Sequence, residues 1–190
     1  MALDQGLKQY HGLMEKGVNF WDNARHLWLN RSLSSSVDYY VADRGKWFPY
    51  FYGLRDRISY VSLAPLVGDI PVVVWIIKER QDNGRFSLVY YELPVYTKGL
   101  KEIERDYVLN EYKKGQSIKL LSDVDNVEPE FYGYDLLKEK DEWSNDYQGD
   151  KKMTLPSLLK FNYIIEGRKN SLVFRINTNS MRKTIYHDIY

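Results

Sequence analysis

The densest group of side chains able to do chemistry lies in SDVDNVEPEFYGYD, Ser122 to Asp135. It holds Asp123, Asp125, Glu128, Glu130 and Asp135. Carboxylates at alternating positions are what a calcium loop requires, together with a glycine at the sixth position for its sharp turn. Counting from Asp123, the fifth position is Val127 and the sixth is Glu128, so that pattern fails twice. Pro129 favours an extended entry into a strand. The stretch is therefore expected to be a solvated turn feeding a strand, and no metal is assigned to it.

Other chemistries find little footing. The three histidines are His11, His26 and His187, too dispersed for a shared site. HExxH, GxSxG, P-loop and GxGxxG patterns do not occur. There is no cysteine, which removes disulfides, thiolate nucleophiles and Cys-based zinc sites. No catalytic residue and no cofactor is expected. Tyr39, Tyr40, Trp47, Phe48, Tyr50, Phe51 and Tyr52 crowd one short stretch. Exposed, such rings could stack sugars or bases or anchor a protein; packed over a sheet they are core, which is the expectation here.

These residues need elements to hold them. In 190 residues, 27 Lys plus Arg nearly cancel 26 Asp plus Glu, which leaves no electrostatic footprint for nucleic acid. The longest apolar run, Ile70 to Ile77, is far shorter than the roughly 20 residues of a membrane span. Leu3, Leu7, Tyr10, Met14, Trp21, Ala24 and Trp28 follow steps of three and four, with Gly17 at the missing step. This predicts a helix over 1–31, anchored by its C-terminal half through Trp21, Ala24 and Trp28 and stopped by the serines from Ser32. Leu3, Leu7, Tyr10, Met14 and Gly17 then form a stripe with no home on the protein's own sheets, expected to be a partner interface.

The remainder reads as β-rich. A first unit over 32–95 contains the β-branched run PVVVWIIKE, expected to be buried on both faces, and a hairpin at Asn83-Gly84. Residues 96–116 read as an insertion with Leu100, Ile103, Tyr107 and Tyr112 at helical spacing. A second unit over 117–190 ends in a hairpin across EGRKN. The fold class expected is α+β, a long N-terminal helix packed on two successive antiparallel sheets in a single domain.

In that order the stretches DRISYVSLAP (Asp56 to Pro65), VVVWIIKE followed by GRFSLVYYELP, IKLLSDVDNVEPEFYGYD, and Trp143, Tyr147, Leu155-Pro156 leading into SLLKFNYII resemble the J-type minor pseudopilins of type II secretion systems. The resemblance covers roughly residues 20 to 180. It implies a pilin-like, non-enzymatic protein that assembles with I-type and K-type minor pseudopilins at the tip of the periplasmic pseudopilus. It implies a periplasmic domain anchored in the bacterial inner membrane in the full-length precursor. The leader and membrane segment of that family are not found here, so the chain is expected to be the periplasmic domain alone. The alternatives are a minor pilin of a type IV pilus, and a periplasmic carbohydrate-binding module using the Trp47–Tyr52 aromatics.

Overall fold

The computed structural model describes residues 20–37, 39–136 and 138–176. The central run of the sequence makes a meander. Strands β3 (Phe51–Gly53), β4 (Arg57–Ser62), β5 (Val72–Arg80), β6 (Phe86–Pro94) and β7 (Gln116–Val124) pair antiparallel in chain order. The two-residue strand β10 (Tyr147–Gln148) closes the sheet beyond β3, giving the order β10-β3-β4-β5-β6-β7. The β5–β6 turn is the expected one. Gly84 takes φ +80°, and the Asn83 side chain accepts the Arg85 N–H. Strand β5 is buried on both faces, as its unbroken β-branched run predicts.

Those two faces build two cores. Val72, Val74 and Ile76 of β5 look toward a second sheet, and Val73, Trp75 and Ile77 look the other way. The second sheet has the order β12-β11-β8-β9, from β8 (Asn126–Asp135), β9 (Lys140–Ser144), β11 (Leu158–Ile165) and β12 (Arg168–Arg175). Its inward side chains Val127, Phe131, Leu159, Phe161 and Phe174 meet Phe51, Tyr60 and Tyr90 of the first. Between β11 and β12, Glu166 and Gly167 both have positive φ, as a two-residue loop compatible with strand twist requires. On the opposite face lie a small hairpin, β1 (Tyr40–Asp43) with β2 (Lys46–Pro49), and the segment carrying α2 (Leu100–Val108) and a 3-10 turn (Glu111–Lys114). Ile103 and Tyr112 from that segment pack on Trp75 and Tyr91, so the expected insertion is a cover for this second core.

The expected fold class is corrected by this architecture. Among the described residues the protein is mostly strand, in three sheets, and its longest helix, α1 (Phe20–Ser34), has 15 residues. A long N-terminal helix packed on two successive sheets is not what organises it. The sheets pack on each other, and α1 contributes Leu29 and Leu33 to their shared core. Of the expected anchoring residues Trp21, Ala24 and Trp28, Trp28 is exposed. The reason is that α1 has apolar residues on several faces, and periodicity alone does not choose among them. The serines expected to stop the helix partly belong to it. Ser34 Oγ donates to the Arg31 carbonyl and Ser36 Oγ to the Leu33 carbonyl, satisfying acceptors that the helix end would otherwise leave bare.

Candidate functional site

Helix α1 has one face locked and another open. Ser32 Oγ lies 2.9 Å from the Tyr60 hydroxyl and 3.2 Å from that of Tyr90. The Tyr90 hydroxyl in turn donates to the buried carboxylate of Glu92 at 2.8 Å. The two oxygens of Glu92 accept the Leu66 N–H at 2.8 and 2.9 Å, and Ser62 Oγ donates to the Ser32 carbonyl at 2.8 Å. Burial pushes both tyrosine hydroxyls up, so they stay neutral and able to donate. This chain ties α1, β4, β6 and the β4–β5 loop into one rigid unit. Leu27, on the side away from it, is 68% exposed, and Trp28, one turn before Ser32 at the flank of the helix, is 42% exposed. Two large apolar side chains therefore stand in solvent on a helix that cannot turn to bury them. The expected interface residues Leu3, Leu7, Tyr10, Met14 and Gly17 lie outside the described residues.

The acidic run is a corner between the two sheets. β7 ends at Val124 and β8 begins at Asn126, with Asp123 at φ +52° just before the bend. Asp125 accepts from Arg85 Nη2 at 2.9 Å and from the Gly167 N–H at 3.2 Å, joining the turns of two hairpins to the corner. The Gly167 N–H and the Arg85 guanidinium hold its carboxyl below the ordinary aspartate range. Asp123 accepts from the Asn83 amide, Glu128 pairs with Arg55 at 2.7 Å, Glu130 with Lys160, and Asp135 with Lys152. The five carboxylates point to five different partners rather than to a common centre.

The aromatic stretch divides by position. Phe48, Tyr50 and Phe51 are buried, while Trp47 is 63% exposed. Phe51 sits between the sheets, with ring centroids 5.9 Å from Phe131 and 5.8 Å from Tyr147. The flat ring platform that would stack a sugar is therefore not assembled from Trp47–Tyr52.

Sequence reasoning missed a buried cluster beneath α2. The Arg57 guanidinium lies 4.0 Å from the Tyr107 ring centroid and donates to Glu104 Oε2 at 3.1 Å. The Tyr50 hydroxyl donates to Glu104 Oε1 at 3.2 Å and bonds Ser59 Oγ at 2.8 Å. Burial, reinforced by the Glu104 charge, pushes the Tyr50 hydroxyl well up, so it remains a neutral donor. Arg57 Nε and Trp75 Nε1 are buried without a hydrogen-bond partner among the described residues. The cluster latches α2 onto the first sheet. Its members come from β4, α2 and the junction of β2 and β3, so local spacing carried no signal of it. Comparison with known proteins adds no name to this geometry: no family model matches the chain, and no curated protein matches it.

Proposed function

We propose that this protein is a non-catalytic assembly subunit that docks a partner protein through the exposed face of α1. The observation that carries the reading is the pair Leu27 and Trp28, exposed on the outer side and flank of a helix whose inward face is fixed by Leu29, Ser32 and Leu33. Fully burying such side chains contributes about 1.5–3 kcal/mol each. Association costs at least about 4 kcal/mol in lost freedom. The two residues are therefore anchors within a wider contact and do not make one alone.

The narrower form of the proposal is a J-type minor pseudopilin that joins I-type and K-type partners in the periplasm. It is supported by the order of the motifs that raised the resemblance, which fall on β4, the β5–β6 hairpin, the β7–β8 corner and β11. A pull-down of the wild-type chain with I-type and K-type minor pseudopilins tests it. The double variant Leu27→Asp, Trp28→Asp is expected to lose capture while keeping the wild-type circular dichroism, since neither side chain belongs to the buried core. Undiminished capture by the variant refutes the helix contact. Failure of the wild type to bind either partner refutes the pseudopilin assignment, and the same assay with minor pilins of a type IV pilus tests the alternative.

A further inference from the structure

The outer face of the second sheet is independent of the α1 contact and has a different chemistry. Strand alternation sends Val127, Phe131, Leu159 and Phe161 inward. Their neighbours Glu128, Glu130 and Tyr132 on β8, and Lys160 and Asn162 on β11, therefore face outward. Trp143 on β9 is in register with Tyr132. It is 43% exposed, with its ring 5.3 Å from the Tyr132 ring and 4.7 Å from Lys160 Nζ. Further along the same face a depression of about 290 Å³ opens between Asn126, Glu128, Asn162 and Lys169. That lies at the lower end of the size of small-molecule sites, about 300–1,000 Å³. From Tyr132 to Glu128 the strand advances about 13 Å, at about 3.3 Å per residue.

The two glutamates along this line are each paired with a cation. Glu130 is paired with Lys160, and Glu128 with Arg55 at 2.7 Å. Those partners hold both carboxyls below the ordinary glutamate range, so they are ionised acceptors at neutral pH. Lys169 beside the depression forms no ion pair among the described residues, and a single unpaired cation gives an anionic polymer little. A protein anchor needs a contiguous apolar centre, and here the rings give way to an ion pair and then to amides. What the line does offer is one exposed indole, followed by carboxylate and ammonium, then by the amides of Asn162 and Asn126, the latter already accepting from Lys78 Nζ at 2.7 Å.

We propose that this face binds a short neutral oligosaccharide. One pyranose ring lays its apolar C–H face on the side of the Trp143 indole opposite the Lys160 ammonium. The hydroxyls of the following units exchange hydrogen bonds with Glu130, Lys160 and Asn162 and reach the depression beside Asn126. A hydroxyl both donates and accepts, which matches mixed amide and carboxylate partners without requiring net charge.

The test is calorimetric titration of the protein with soluble malto-, cello-, xylo- and chito-oligosaccharides at millimolar concentration. At least one series is expected to bind. Trp143→Ala should weaken it about tenfold or more, Asn162→Ala by several-fold, and Trp143→Phe much less than Trp143→Ala. Trp47→Ala, which removes the exposed indole of the β1–β2 hairpin, should leave binding unchanged. The proposal is overturned if no series binds, or if Trp143→Ala and Asn162→Ala bind as the wild type does. It is equally overturned if binding disappears with added salt, the mark of an ionic ligand, or if a protein partner rather than a saccharide protects Trp143 from modification.

Discussion

Replacing Phe51 with alanine tests whether the contact between the two sheets carries the stability of the fold. Phe51 is fully buried on β3. Its ring lies 6.4 Å from Tyr60 within its own sheet, 5.8 Å from Tyr147, and 5.9 Å from Phe131 across the interface. Truncation removes the transfer energy of the ring and opens a cavity that rigid strands on both sides cannot close. Buried Phe→Ala changes cost about 3–5 kcal/mol. Aromatic pairing worth about 0.5–1.5 kcal/mol per contact lies partly within that figure. A domain of this size is stable by about 5–15 kcal/mol, so the variant loses a large share of the total. At about 2–4 °C per kcal/mol the melting temperature should fall by roughly 6–20 °C. Urea unfolding measures it directly, as a lower midpoint at unchanged slope. The control is Trp47→Ala a few residues away, expected within about 0.5 kcal/mol because the ring is exposed. A loss below about 1 kcal/mol for Phe51→Ala, or an equal loss for Trp47→Ala, would refute the placement of this interface.

Gly53→Ala should destabilise the protein by about 1–3 kcal/mol, because the new Cβ would stand 2.4 Å from the Phe131 ring; a neutral result in urea unfolding would mean that the sheets can separate there freely. Alkaline titration should unfold the protein as pH rises from about 10 toward about 12, where burial places the Tyr52 and Tyr147 hydroxyls. The sign follows from linkage: a tyrosine whose folded pKa is raised stabilises fully below its unfolded pKa, and that contribution is lost as pH climbs to the folded value. Circular dichroism that stays unchanged through this window would count against both placements.

The sequence alone determined the features set by neighbouring residues. Asn83-Gly84 specified its turn because glycine accepts a positive φ. The β-branched run through Trp75 specified a strand buried on both faces. Pro129 and its neighbours specified extended backbone, and the stretch forms β8. What lay beyond local reach was decided by packing. The helix pattern over 20–34 did not disclose that Leu29, Ser32 and Leu33 face inward, because Ser32 is buried only through hydroxyls on β4 and β6. The five acidic residues of the corner looked alike along the chain. Only the folded protein brought Arg55, Asn83, Arg85, Lys152, Lys160 and Gly167 to them from elsewhere in the chain. Arg57 and Glu104 meet across 47 positions for the same reason. Periodicity records which side chains shun water, whereas ion pairs and buried hydrogen bonds depend on which distant residues the packed sheets bring within reach.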